Sequence, residues 1–369
     1  MKKILFASLA ALTAIVFYAC TTDVELNAPY NSRTVVFGLL DPGLDTQWVK
    51  INRTWLGDGD NRLYAQIQDS SEYQDGDFNG VVEEYLNNIL VNTYQIEDTL
   101  LENKDDGGIF FSDQYKAYYF LSPGGLNTDS RYDLNLDFVS QDDVIGSTSL
   151  IETLPGTITR PPTGFLGASI NWGQVVNGQV SFIDYNFKWN ASENARRYEA
   201  TLVVHITEYI YTDQTQQTLL ETVPRELNWF LGNVRTLDGS GELSKEVAGE
   251  AFFGFLANNL EASDNIRREL GIWNAETERV EAFDFVLTVG DEDLDTYLNV
   301  NEPLTGVIQE RPDFTNLVNG LGLFSSKTTI ANNGVEYPTT TLDALRTSPL
   351  TNGLNFCSPN PNNTFFCDL

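Results

Sequence analysis

The sequence has little positive charge. It contains 22 Lys and Arg residues against 52 Asp and Glu residues, which gives a formal net charge of −30. Nucleic acid is therefore excluded as a partner, because phosphate binding requires clustered basic residues. The hydrophobic content of 41% indicates a globular chain, not a disordered one. We interpret the acidity as a property of a solvated surface.

Histidine is almost absent. The single histidine, His205, falls on the polar face of a predicted strand, where we expect it to be exposed to solvent. The sequence therefore offers no Ser-His-Asp, Cys-His or multi-histidine metal constellation. Paired carboxylates could still serve a glycoside hydrolase, but with 52 acidic residues such pairs arise by chance. We predict that the protein is not an enzyme.

No run in the N-terminal region is long enough to cross a bilayer, which requires about 20 apolar residues. Lys2 and Lys3 precede a short, mostly apolar run at residues 4–19, and Cys20 follows directly after the small residue Ala19. This pattern predicts a signal peptide at residues 1–19. Cys20 resembles the acylated cysteine of a bacterial lipoprotein box, with Phe17 where leucine is usual. We expect Cys20 to carry the lipid anchor and residues 20–32 to form a tether. The alternative is an ordinary secretory peptide in which Cys20 is incidental.

Only three cysteines are present. If Cys20 carries lipid, Cys357 and Cys367 remain as a pair in an oxidising compartment. They bracket a segment rich in Pro and Asn, so we predict a disulfide that closes a small loop in the C-terminal tail, residues 346–369. A pair of reduced or metal-binding thiols is the alternative.

The first half of the mature chain reads as short strands separated by turns. Apolar and alternating segments at residues 34–40, 48–56, 81–86, 89–94, 115–121 and 132–138 predict strands. Asn87 and Asn88 tolerate the positive φ of a tight hairpin turn. We therefore predict an Ig-like β-sandwich at residues 33–154, followed by a linker at residues 155–165, which contains Pro155, Pro161 and Pro162.

The second half predicts another sandwich at residues 166–345. Strands are expected at residues 181–189, 198–206 and 283–289, and the segment from Trp189 to Tyr198 resembles the B and C strand pattern of fibronectin type III modules. The period changes at residues 243–273, where we predict a helical insertion. Its first helix follows the spacing of Val247, Ala251 and Phe255, and its second spans residues 264–270 with Ser263 as its cap.

Two features suggest binding sites. The segment Asp75, Gly76, Asp77, Phe78, Asn79, Gly80 matches the first half of a calcium loop, in which alternate oxygens converge on one cation. Position twelve is Leu86 and not Glu, so the same segment also reads as an ordinary acidic turn. Residues 291–295 form a second acidic turn. The six tryptophans could include a sugar-stacking platform, although sandwich cores also use aromatic residues.

Several of these segments occur in an order that resembles a family of outer-membrane lipoproteins of unknown function in Bacteroidota. The resemblance is carried by Thr34 to Gly38 before a Pro-Gly turn, the strand at 132–138, the segment from Trp189 to Tyr198, and the Asn-Gly-x-Gly-x-Phe segment at residues 319–324. It implies an outer-membrane lipoprotein with no assigned catalytic residues. The acidic residues Asp23 and Glu25 near Cys20 favour display on the cell exterior over a periplasmic orientation. Such proteins are often encoded beside TonB-dependent receptors. The expected function is that of an accessory or binding subunit of a receptor or β-barrel complex, with surface glycan binding as the alternative.

Overall fold

The structure is a computed structural model that describes residues 30–57, 60–102, 108–109, 111, 114–152, 157–162, 168–302 and 313–367. The predicted signal peptide, Cys20 and most of the predicted tether lie outside these residues, as does part of the predicted linker.

Strands dominate the described residues, of which 50% lie in strands and 14% in helices, and this confirms the prediction of a mainly β protein. The strands are β1 (Thr34–Leu40), β2 (Thr46–Arg53), β3 (Phe78–Leu86), β4 (Ile89–Gln95), β5 (Glu97–Leu101), β6 (Tyr115–Leu121), β7 (Arg131–Phe138), β8 (Val144–Ser149), β9 (Ile158–Arg160), β10 (Gly173–Val176), β11 (Gln179–Phe182), β12 (Tyr185–Asn190), β13 (Arg197–Tyr211), β14 (Leu219–Arg235), β15 (Glu242–Val247), β16 (Ile266–Leu270), β17 (Ile272–Asn274), β18 (Arg279–Glu281), β19 (Phe283–Gly290), β20 (Gly320–Val335) and β21 (Phe356–Cys357). The helices are α1 (Asn61–Ala65), α2 (Gln68–Ser71), α3 (Gly249–Asn259), α4 (Glu292–Asn301) and α5 (Thr339–Thr347), with a 3₁₀ turn at Asn352–Leu354. Among the described residues, no helix has the length and apolar character needed to span a bilayer.

One large sheet connects the two halves of the chain. Its strands run in the order β21-β16-β13-β19-β20-β1-β2-β6-β5, and β14 also pairs with β13. The connection is made by β20, which pairs antiparallel with β19 and parallel with β1, from Thr34 opposite Gly320 to Leu40 opposite Ser326. The two predicted sandwiches therefore share one sheet. The Ig-like and fibronectin III-like topologies stay predictions.

The N-terminal core lies between this sheet and a second one of order β4-β3-β7-β8. The alternation of β7 buries Tyr132, Leu134, Leu136 and Phe138 on one face, as predicted. Their cluster includes residues of β1, β2 and β6 from the large sheet. Asn87 and Asn88 join β3 to β4 with φ of 52° and 64°, which confirms the predicted hairpin turn.

The second core is larger and rich in aromatic side chains. Alternate residues of β13 are buried in it, as the sequence predicted: Tyr198, Ala200, Leu202, Val204 and Ile206. Helix α3 adds Phe252 to this core, where its ring stacks on Trp172 with centroids 4.8 Å apart. The predicted tail also belongs to it, because Leu354 and Phe356 are buried in the same cluster.

The glycine-containing start of β20 is held by the side chain of Asn316, which lies just before the strand. Asn316 Oδ1 accepts a hydrogen bond from Phe324 N at 2.9 Å, and Asn316 Nδ2 donates to Phe324 O at 2.7 Å. Gly322 has a φ of 106°, and a Cβ at that position would lie 2.0 Å from Val36 O. The second glycine of the Asn-Gly-x-Gly-x-Phe segment thus allows β20 to approach β1.

Four sequence expectations are corrected. Residues 264–270 form no second helix; residues 266–270 form β16, because this segment pairs with β13 and Arg268 pairs there with buried Glu208. Residues 158–160 of the predicted linker form β9, which pairs with β12. The strand expected at residues 181–189 is divided between β11 and β12. The predicted acidic turn at 291–295 is the start of α4, where Asp291 Oδ1 accepts a hydrogen bond from Leu294 N at 2.9 Å.

Candidate functional site

The outer surface of β1, β2 and β6 carries apolar side chains where a polar surface is usual for a solvated sheet face. Inward residues of these strands are buried, whereas Leu39, Trp48 and Leu121 are 38%, 48% and 53% exposed. The strand register makes them neighbours, because Trp48 pairs with Tyr119, Thr46 pairs with Leu121, and Gly38 pairs with Val49. We call this surface the apolar face, and its residues are Phe37, Leu39, Trp48, Tyr119 and Leu121.

The two aromatic rings of the apolar face that are in contact are not coplanar. The rings of Trp48 and Tyr119 lie 5.4 Å apart with an angle of 48° between their planes. Phe37 is covered from the side by Tyr297 of α4, with ring centroids 5.6 Å apart. The apolar face is thus bounded by α4 on one side, and its two contacting rings do not form a flat stacking platform.

A cleft of about 700 Å³ opens beside the apolar face. It forms because β2 and β6 pair only from Thr46–Leu121 to Val49–Tyr118, after which the ladder ends. The segment around α2 occupies the gap: Glu72 Oε1 accepts a hydrogen bond from Lys116 N at 3.2 Å, and Asn52 Nδ2 donates to Ser71 O at 3.0 Å. Backbone and side-chain groups at the bottom of the gap therefore have partners without strand pairing.

The walls of the cleft are mainly apolar. They include Phe37, Trp48, Trp55, Leu101, Phe111 and Tyr115. Tyr118 also lines the cleft, and burial raises the pKa of its hydroxyl well above the usual value, so this phenol stays neutral. A concave apolar site of this volume with a few polar groups has the general properties of a ligand-binding pocket.

Two of the predicted calcium ligands have partners within the protein. Asp75 Oδ1 lies 2.5 Å from Lys116 Nζ, and this hydrogen bond lowers the pKa of the Asp75 carboxyl. Asp77 Oδ2 accepts a hydrogen bond from Gln74 N at 2.8 Å and so closes its own turn, while Asn79 lies in β3. In the described ranges, no group of three or more His, Cys, Asp or Glu is arranged to hold a metal ion. The segment has the geometry of an acidic turn.

Of the other predicted site residues, Cys20 lies outside the described residues, and the remaining two cysteines lie together. Cys357 and Cys367 form a disulfide with a Cα–Cα distance of 5.2 Å. Both are buried, and Ser358 N donates to Phe365 O at 2.7 Å inside the loop that they close. The disulfide fixes the C-terminal segment against β16.

His205 is not the exposed strand residue expected from the sequence. Its Nε2 lies 2.8 Å from Asp284 Oδ2, and its side chain is only 14% exposed. This hydrogen bond to Asp284 raises the pKa of His205. Asp284 also accepts a hydrogen bond from Gly334 N at 2.9 Å, so the pair ties β13 and β19 to the end of β20.

The tryptophans divide between core and surface. Trp172 and Trp189 are fully buried, and Trp229 and Trp273 pack against the second core. Trp48 is the exposed member, and Trp55 lines the cleft. One sequence signal could have revealed the site. In β2, the apolar residues Val49 and Ile51 alternate with Trp48 and Lys50, so the alternation places a tryptophan on the face that points away from the core.

Comparison with known proteins adds no relative. No protein-family model matches the chain, and no curated protein matches it. The geometry of the apolar face and the cleft is therefore the basis of the proposed function.

Proposed function

We propose that the protein is a non-catalytic outer-membrane lipoprotein, anchored through Cys20 and facing the cell exterior, that serves as an accessory or binding subunit of an outer-membrane receptor or β-barrel complex. The apolar face is the docking surface in this proposal. Its exposed Leu39, Trp48 and Leu121 are the observation that carries it. Exposed apolar residues that are contiguous on one surface are typical of protein–protein contact sites.

The position of the apolar face along the chain supports a membrane partner. Strand β1 begins at Thr34, so about 14 residues separate it from Cys20, and an extended chain spans at most about 3.3 to 3.6 Å per residue. A lipid anchor at Cys20 would therefore hold β1 within about 50 Å of the membrane surface. A membrane-embedded protein lies within reach of the apolar face at this distance.

The geometry favours a protein partner over a glycan. Glycan binding would use exposed aromatic rings that share a plane, but the planes of Trp48 and Tyr119 are 48° apart. The neighbouring side chains Leu39 and Leu121 are aliphatic and offer no hydrogen bonds to a sugar. An aliphatic and aromatic mixture of this kind matches the central part of a protein interface.

Affinity purification from detergent-solubilised membranes of the source organism tests the proposal. The full chain carries a C-terminal tag, and we expect one outer-membrane β-barrel protein to be recovered with it in defined stoichiometry. Leu121→Asp places a charge on the apolar face and should abolish this recovery. Cys20→Ser should move the tagged protein out of the membrane fraction.

Phe230→Asp is the matched control. Phe230 is 57% exposed on β14, away from the apolar face, so the same type of substitution there should leave recovery of the partner unchanged. Recovery of the wild-type protein alone would contradict the proposed function. If Leu121→Asp recovered as much of the partner as the wild type, the apolar face would not be the docking surface.

A further inference from the structure

The cleft beside the apolar face differs in charge from the rest of the protein. The chain has 52 acidic and 22 basic residues. Among the described residues that line the cleft, Lys50, Arg53 and Lys116 are basic and Glu72 is the sole acidic residue. An apolar cleft lined by basic residues favours ligands that carry a negative charge, even though the protein as a whole is acidic.

These charged groups are not equivalent. Lys116 is neutralised by Asp75 at 2.5 Å, and the guanidinium of Arg53 donates to Asp69 O and lies 5.7 Å from the centre of the Tyr73 ring. Glu72 is buried and accepts hydrogen bonds from Lys116 N and Gln68 Nε2. The polar groups at the base of the cleft therefore hold each other in place.

Lys50 is different, because it is exposed and, within the described part of the chain, forms no ion pair. It lies on β2 between Trp48 and Asn52, all three on the same side of the strand, and it pairs in register with Phe37. Lys50 thus lines the cleft, with Phe37 opposite it on β1 and Trp48 two residues before it on β2. A cation beside an apolar cavity can bind the acidic end of a ligand whose body enters the cavity.

We propose that the cleft binds a small amphiphilic anion, with an aromatic or aliphatic body between the walls formed by Phe37, Trp48 and Tyr115 and a carboxylate, sulfonate or phosphate group bound by Lys50. The volume of about 700 Å³ suits a free small molecule, since typical ligand pockets measure about 300 to 1,000 Å³. The ligand site shares Phe37 and Trp48 with the apolar face, but ligand binding in the cleft does not require a docked partner.

Two fluorescent probes with the same aromatic body test this assignment. Anilinonaphthalene sulfonate carries the anion, and N-phenylnaphthylamine is its neutral counterpart. The titrations use the mature chain with Cys20→Ser, which removes the acyl chains that would compete for an apolar probe. We expect the wild-type cleft to bind both probes, with an added contribution from charge for the sulfonate that weakens as salt is raised.

Lys50→Gln should weaken sulfonate binding by about three- to fivefold, the size expected for one partly exposed charge pair, and leave binding of the neutral probe unchanged. Lys50→Arg should retain the wild-type affinity. Lys245→Gln removes a lysine from β15, in the second half of the chain, and should have no effect on either probe.

Ala117→Trp tests the position of the site, because Ala117 lines the cleft and a larger side chain would fill it. Both probes should be lost while the far-ultraviolet circular dichroism spectrum stays that of the wild type. Unchanged sulfonate affinity in Lys50→Gln, an equal loss for both probes in Lys50→Gln, or retained binding in Ala117→Trp would each overturn the inference. None of these results bears on recovery of a β-barrel partner, so the two proposals can fail independently.

Discussion

Replacement of Gly322 by alanine should be severely destabilising, because this residue lies where β20 meets β1. Its φ of 106° is a conformation that costs an L-residue about 1 to 2 kcal/mol. The added Cβ would lie 2.0 Å from Val36 O and 3.0 Å from Val36 C. Both atoms belong to the backbone of β1, so relief requires β1 and β20 to separate, at a further cost of about 1 to 3 kcal/mol.

The expected loss for Gly322→Ala is therefore about 2 to 5 kcal/mol in the free energy of unfolding. Gly254→Ala is the matched control, since Gly254 lies in helix α3 and a Cβ there meets no atom within 4 Å. That substitution should stabilise the protein by about 0.5 to 1 kcal/mol. Urea unfolding followed by circular dichroism measures both variants. A Gly322→Ala protein within about 1 kcal/mol of the wild type would refute the close approach of β20 and β1.

Three further predictions concern the second core and its surroundings. Arg268→Ala should lower the free energy of unfolding in urea by about 3 to 5 kcal/mol, because it leaves the buried Glu208 without its 2.8 Å partner. Arg225 is the other, more exposed partner of Glu208, and Arg225→Ala should lower it by less than about 1 kcal/mol. Equal losses in the two variants would contradict the greater weight given to the buried pair. The raised pKa of His205 means that its protonated form stabilises the fold below the unfolded pKa of about 6.5 and that this contribution is lost as pH rises through the folded value. The stability difference between wild type and His205→Gln should therefore fall as pH rises above about 6.5, and a flat difference would count against the pairing with Asp284. The disulfide joins cysteines at a sequence separation of 10, so replacing Cys357 and Cys367 with serine should lower the free energy of unfolding by about 2 to 3 kcal/mol. A free energy of unfolding of the wild-type protein that does not change when reductant is added would contradict this prediction.

Local sequence signals predicted individual strands well. The alternation at residues 132–138 and 198–206 matches the buried faces of β7 and β13 because a period of two is fixed by strand geometry. Asn87 and Asn88 adopt the positive φ that their side chains tolerate. When the structure of a strand or turn depends only on local preferences, its own residues are sufficient to predict it.

Tertiary partners decided the elements that were predicted wrongly. Ile266 and Leu270 are four residues apart, a spacing that suits one face of a helix, but the segment forms β16. The buried ion pair between Arg268 and Glu208 joins positions 60 residues apart, which no local pattern contains. The pairing of β1 with β20 is more distant still, and it joins segments that were assigned to different domains.

The candidate site was only partly accessible from the sequence. The outward position of Trp48 follows from the alternation of β2, but the cleft does not, because it exists where the ladder between β2 and β6 ends. That end depends on Glu72 and Ser71, which come from the segment around α2 and hold the backbone of β6 and the side chain of Asn52. The presence of Lys50 beside a cavity could not be inferred without this geometry.

Site-specific photo-crosslinking in intact cells tests the docking surface most directly. A photoreactive phenylalanine analogue at position 121 would replace Leu121, which is 53% exposed on the apolar face, and the same analogue at position 230 would replace the comparably exposed Phe230. We expect a crosslink to one outer-membrane β-barrel protein from position 121 and none from position 230. Equal crosslinking from both positions, or no membrane protein captured from position 121, would contradict it.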